Sequence, residues 1–239
     1  MPTDRRPEGG APFPTTITSA VLALKSEDTN TQRDGWERVA RAYLAPIERY
    51  VALRFRLTAA EAADTSQAFF ARALEKGTFS AFDPTKARFR TYVRTCLDRF
   101  VVDERRRNKA MKRGGDAITV EIDDEHAVAM NGPDPDACFE DEWKKHVLER
   151  ALERLREDLR ASKKTEHLTV FERFHLETDT PPSYSAIASE LGITVTDVTN
   201  RLSYARRKLR AMVIDILREI TASEEEFRAE AKAVLGVDL

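Results

Sequence analysis

The stretch Ser183-Tyr184-Ser185-Ala186-Ile187-Ala188-Ser189-Glu190-Leu191-Gly192-Ile193-Thr194-Val195-Thr196-Asp197-Val198 reads as two short helices around a tight turn. Ile187 and Ala188 sit in the first, Gly192 stops it by supplying a left-handed residue, and Thr194 opens the second. Thr194 and Asp197 are three apart, the spacing of a reciprocal N-terminal cap, although Asp is shorter than the usual Glu. Ala188 is small enough to let the two helices approach. On the second helix, predicted over Val195–Met212, burial of Val198, Leu202 and Leu209 leaves Thr196, Thr199, Asn200, Ser203 and Arg207 facing out. Such a helix-turn-helix presents a polar N-terminal half to base edges and basic residues to phosphates. An ordinary helical hairpin has no need of a basic second helix together with that Ala/Gly spacing.

Working outward, Pro181-Pro182 breaks the chain before this motif, and a short helix pattern precedes it at Leu168, Phe171, Phe174 and Leu176. A longer pattern starts near Phe139, with Trp143, Val147, Leu148, Ala151, Leu152, Leu155 and Leu159 on one side. In the N-terminal half, Trp36, Val39, Ala40, Tyr43, Leu44, Ile47, Tyr50 and Val51 make one apolar face. A second helix is predicted from about Ala59 to Lys76, with Phe69, Phe70, Ala73 and Leu74 inward and Gly77 as its stop. A third carries Phe89, Tyr92, Val93, Cys96, Leu97, Phe100 and Val101, with Arg90, Arg94 and Arg105 on its opposite face, and Asp83-Pro84 places a turn before it. No β pattern and no fixed repeat is present. The fold class is all-α, in two small helical modules: a disordered tail 1–14, a first module 15–113, a flexible acidic linker 114–138, a second module 139–221 and an extension 222–239. The apolar positions of that extension, Phe227, Ala231, Val234 and Leu235, suggest a terminal helix packing back on the second module, or else a contact for a regulator.

The 239 residues carry a net charge of −2 that conceals strong segregation. Lys86 to Arg113 holds eleven Lys/Arg against three acids, Gly114 to Trp143 ten Asp/Glu and no Lys/Arg, and Val198 to Val213 five basic residues and no acid. Two basic segments flanking an acidic one suit two polyanion-binding modules on a tether that does not adhere to the polyanion. Apolar residues make up 41% of the chain, yet no run approaches the roughly 20 needed to span a bilayer. The N-terminus has no signal-peptide character, and Cys96 and Cys138 share no motif spacing, so the chain reads as cytoplasmic. It has no G-x-x-x-x-G-K-[ST] loop and no H-E-x-x-H. The single Glu172-x-x-His175 lacks the partners a di-iron bundle requires. Nothing points to an enzyme, a cofactor or a metal.

Ile187-Ala188, Leu191-Gly192-Ile193, Val198, Arg201-Leu202-Ser203 and Ala205-Arg206-Arg207-Lys208-Leu209 resemble the promoter-binding region of bacterial extracytoplasmic-function (ECF) sigma factors. Ala62-Ala63-Asp64-Thr65-Ser66-Gln67-Ala68-Phe69-Phe70-Ala71-Arg72-Ala73-Leu74 is similar to that family's polymerase-binding helix. Phe89-Arg90-Thr91-Tyr92-Val93, followed by Asp103-Glu104-Arg105-Arg106, resembles its −10-recognition helix. The resemblance implies docking on the clamp coiled coil of the largest subunit of core RNA polymerase through Glu61, Asp64, Gln67, Phe70 and Arg72. It implies −10 DNA binding by Arg88, Arg90, Arg94, Arg105 and Arg106, with Phe79, Phe82, Asp83 and Lys86 as candidates to line a pocket for an unstacked base. Core packing is the competing role for the two phenylalanines. At the −35 element the implied readers are Thr196, Asp197, Thr199, Asn200, Arg201, Ser203, Tyr204 and Arg207. A linker of about 25 residues could extend to ~80 Å, enough to thread between modules separated on the polymerase. In the free protein, modules packed together to hide their DNA faces are a common regulatory arrangement of the family, and the candidate regulators are an anti-sigma factor or a Ser/Thr kinase.

Three features depart from the family pattern. The polymerase-binding helix is short of acid around Gln67, and phosphorylation of Thr65 or Ser66 would add about −1.5 to −2 charges there. That switch would require a Ser/Thr kinase, whereas the plainer reading leaves both as exposed helix residues. Arg99 stands where many relatives have Asn. Asp197 and Thr199 replace a small hydroxyl residue and a Lys, and Asp197 would repel phosphate but can accept from a cytosine amino group. The rival reading is a free-standing helix-turn-helix regulator that binds DNA through 183–213 without polymerase.

Overall fold

The computed structural model describes residues 19–112, 134–177 and 180–237. The expected tail 1–14 and most of the expected linker lie outside them. Among the described residues the order is α1 (Ala20–Ala23), α2 (Thr29–Phe55), α3 (Ala59–Glu75), a 3-10 turn (Phe79–Ala81), α4 (Phe89–Lys112), α5 (Pro135–Ala161), α6 (Thr165–His175), α7 (Tyr184–Leu191), α8 (Val195–Ile220) and α9 (Glu224–Leu235), with no strand. The all-helical expectation holds.

Short polar side chains start most of these helices. Ser19, Asp28, Thr58, Ser183, Thr194 and Ser223 each accept from a backbone N–H of the first turn. Thr58 and Glu61 form a complete capping box, as do Thr194 and Asp197. Helix α2 packs against α1 so closely that Gly35 has no room for a side chain: a Cβ there would lie 2.9 Å from the Ala20 carbonyl oxygen and 2.9 Å from the Ala23 Cβ.

One continuous core crosses the expected boundary between modules. Val39, Tyr43 and Ile47 of α2, Phe69 of α3 and Phe89, Val93 and Leu97 of α4 pack into the same cluster as Phe139, Trp143 and Val147 of α5, Val213 and Ile216 of α8 and Phe227 and Ala231 of α9. Tyr50 meets Phe139 edge to face at 5.2 Å, and Arg49 pairs with Glu142 and Glu149 at 3.5 and 3.2 Å. Two smaller clusters lie beneath the helix-turn-helix. One holds Leu155, Leu159, Leu168, Phe171 and Ala205, the other Val170, Ile187, Ala188, Val198 and Leu202.

Several local expectations differ from the structure. Helix α5 begins at Pro135, four residues before Phe139, because the apolar face alone gives no signal in its polar first turn. Helix α8 runs on to Ile220 rather than ending at Met212, since Val213, Ile216, Leu217 and Ile220 continue its buried face. Leu74 and Leu148, expected inward, are 56% and 41% exposed. Arg90, expected on the solvent face of α4, is 2% exposed, because α5 and α9 cover that side.

Candidate nucleic-acid interface

The helix-turn-helix is built as its residue types require. Helix α7 is capped by Gly192 with φ 64°, the left-handed conformation that glycine adopts at no steric cost, and α8 starts three residues later at Val195. Thr196, Thr199, Asn200, Ser203 and Arg207 are all exposed, while Val198 and Leu202 are fully buried. Thr199 donates its hydroxyl to the Val195 carbonyl at 2.9 Å. Asp197 is half-buried and committed to the cap: one carboxylate oxygen accepts from the Thr194 hydroxyl at 2.7 Å and from its backbone N–H at 3.1 Å. Those bonds hold its carboxyl below the usual carboxylate range. The same carboxylate was the residue expected to accept from a base.

The basic side chains of α8 divide into held and free. Arg201 pairs with Glu166 at 2.6 Å. The Lys164 ammonium donates to the Tyr204 hydroxyl at 2.8 Å and lies 4.0 Å from the ring centroid. Arg206 stacks over Phe174 at 5.1 Å and donates to His175 at 3.1 Å. Arg207 and Arg210 point into solvent. Neither the Lys164–Tyr204 pair nor the Arg206–Phe174 stack was evident in the sequence, since each joins α8 to a residue more than 30 positions away.

At the N-terminal half of α4 the expected site is altered. Phe79 and Phe82 are 0% and 1% exposed, and both belong to the core rather than to an open pocket. Phe79 stacks on Trp36 at 5.0 Å, and Phe82 meets Phe89 edge to face at 5.1 Å. Asp83 accepts from the backbone N–H and hydroxyl of Thr85, and exposed Lys86 pairs with it at 3.4 Å. A recess of about 210 Å³ does lie beside the 3-10 turn, lined by residues that include Arg72, Lys76, Thr78, Arg99 and Phe100. It is reached from the α3–α4 side and excludes the two phenylalanines.

Arg88 is about half exposed and approaches Glu230 at 3.9 Å. Arg90 meets Glu230 at 3.2 Å and Glu140 at 3.1 Å, and lies over the Trp143 ring at 4.5 Å. Arg94 pairs with Asp98 at 3.4 Å. Arg105 donates to the Phe55 carbonyl at 3.0 Å and covers its ring at 4.8 Å, and Arg106 is exposed. The acidic cage around Arg90 was missed in the sequence. Its one available signal was that Glu226 and Glu230 stand four apart, on one face of a helical tail.

On α3, Glu61, Asp64 and Gln67 are exposed, and Phe70 and Arg72 are half-buried. Arg72 pairs with Glu104 at 3.4 Å and lies 5.8 Å from the Phe100 ring centroid. Thr65 is half-buried and its hydroxyl donates to the Glu61 carbonyl at 2.6 Å. Ser66, expected at an exposed position, is fully buried and donates to the Ala62 carbonyl at 2.7 Å. Serine is small enough to occupy the inner face there, which periodicity assigns only to apolar types.

A family model described as ECF sigma factor matches residues 24–215. No curated protein and no solved structure matches the chain. No helix among the described residues is long and apolar enough to cross a membrane.

Proposed function

Since the chain belongs to the ECF sigma factor family, whose members direct RNA polymerase to promoters as non-enzymatic initiation factors, we propose that this one grips promoter DNA with two helices. The N-terminal half of α8 reads the −35 element through Thr196, Thr199, Asn200 and Ser203, with Arg207 on phosphate. The basic helix α4 takes the −10 element, with Lys86 and Arg106 supplying charge that is already exposed and Arg88 held beside Glu230. Helix α3 docks on the polymerase clamp through Glu61, Asp64 and Gln67. The observation that carries this reading is the exposure of Thr196, Thr199, Asn200 and Ser203 along the start of α8, above a closed Gly192 turn. Phe79 and Phe82 are placed in the core, so a base leaving the stack is better received by the recess between Arg72, Thr78 and Arg99. Transcription by core polymerase from a promoter library tests the reading: wild type should select a −35 sequence, and Asn200→Ala should relax that selection.

Thr65 carries the finer part of the proposal. It lies one turn after Glu61 and directly after Asp64, and a phosphate added by a Ser/Thr kinase would strengthen an acidic docking face. Ser66 is excluded from that role by its burial. A Thr65→Glu variant should bind core polymerase more tightly than wild type, and equal binding with no phosphate on Thr65 in cells would remove the switch.

A further inference from the structure

The family match ends at residue 215, yet the chain continues into α9, whose acidic face lies on the most basic helix of the N-terminal half. Glu226 caps α4 from 137 residues away: one carboxylate oxygen accepts from the Phe89 backbone N–H at 2.7 Å, the other from the Ala222 N–H at 2.8 Å. Glu230, 1% exposed, faces Arg90 at 3.2 Å and Arg88 at 3.9 Å. Two carboxylates therefore converge on two guanidinium groups and on the N–H end of a helix, the arrangement that receives a phosphate group. Glu226 is well fitted by its two backbone N–H bonds, and Glu230 is not. Neither oxygen of Glu230 has a hydrogen-bond partner among the described residues, and neither does Nη1 of Arg90. A buried ion pair without hydrogen bonds repays its desolvation poorly and is open to replacement by a better anion.

We infer that α9 is a built-in competitor of nucleic acid: Glu226 and Glu230 occupy the phosphate-binding end of α4, and α9 must leave before DNA can enter. This rests on the reading of α4 as a DNA-binding helix. Glu140 and Trp143 of α5 complete the cage around Arg90. They belong with α8 and α9 to the C-terminal half, so the same opening carries all of them away from α4.

The test uses fluorescence anisotropy of a labelled single-stranded oligonucleotide of about 20 nucleotides, titrated at several salt concentrations. Three chains are compared: wild type, Glu226→Ala/Glu230→Ala, which removes both the cap acceptor and the partner of Arg90, and a chain ending at Thr221. Both altered chains should bind at least about fivefold more tightly. Their log–log salt slope should steepen by about 1.4, for two further phosphates neutralised by Arg88 and Arg90. Equal affinity and slope in variants that melt cooperatively overturns the inference while leaving the promoter reading intact. An absence of salt-dependent binding in all three chains overturns both. Should both variants fail to fold, hydrogen exchange on wild type decides: residues 224–235 should exchange faster with saturating oligonucleotide, and unchanged protection overturns the inference.

Discussion

The guanidinium of Arg90 and the carboxylate of Glu230 meet at 3.2 Å with side-chain exposures of only 3% and 2%, joining the N-terminal half of the chain to its last helix. Burial outweighs the two nearby arginines at Glu230, whose carboxyl is held above its ordinary value. Removing one partner of such a pair is costly because the other charge stays buried. Arg90→Ala should therefore lower stability by about 3–5 kcal/mol. Adding Glu230→Gln should recover most of that loss, as read by denaturant unfolding of the single and double variants.

Gly35 tests the α1–α2 contact. Alanine in a helix interior gains about 1 kcal/mol over glycine, but its methyl would press on a backbone carbonyl and a rigid Ala23 Cβ, each at 2.9 Å. Overpacking costs about 1–3 kcal/mol. Gly35→Ala should lower Tm despite its better helix propensity, and an unchanged or raised Tm would show that α1 gives way freely.

Acid should act with opposite sign at the caps and at the α9 seam. Hydrogen bonds from Thr31, Thr58 and Thr194 hold the carboxyls of Asp28, Glu61 and Asp197 below their ordinary values. The stability they contribute is present above those ordinary values and is lost as pH falls through the lowered ones. Burial raises Glu226 and Glu230 above the ordinary glutamate value of 4.5. Their contribution is full below 4.5 and is lost as pH rises through the raised values. Hydrogen-exchange protection of residues 224–235, corrected for intrinsic rate, should increase as pH is lowered from neutrality toward 5. The Glu226→Gln/Glu230→Gln variant should show no such trend.

On α8, Arg207 and Asn200 should fail differently. Arg207→Ala should weaken binding evenly across promoter sequences and reduce the salt slope by about 1, the signature of a lost phosphate contact. Asn200→Ala should cost about 1–3 kcal/mol at one base position only. Competition binding of the polymerase complex to a randomised −35 library separates the two outcomes.

Much of this was legible because it is local. Gly192, the Thr194–Asp197 cap and the apolar face of α8 lie within a few turns of one another, and short-range geometry decides them. The acids of α9 were visible as residues, but nothing in their spacing says that Glu226 caps a helix beginning at Phe89. Periodicity placed Arg90 opposite the α4 core and so in solvent, because it cannot register a second layer formed by α5 and α9. Phe79 and Phe82 fit a base pocket as well as a core by residue type. Rings contributed from other helices, Trp36 on Phe79 and Phe89 on Phe82, distinguish the two.

Run-off transcription with purified core polymerase on a promoter library tests the central claim most directly. The account predicts specific transcripts only when core polymerase and this chain are both present, with a shared −35 sequence lost in Asn200→Ala. Specific promoter binding by the chain alone, with no association with core polymerase and no transcript, would contradict it and identify a free-standing DNA-binding regulator.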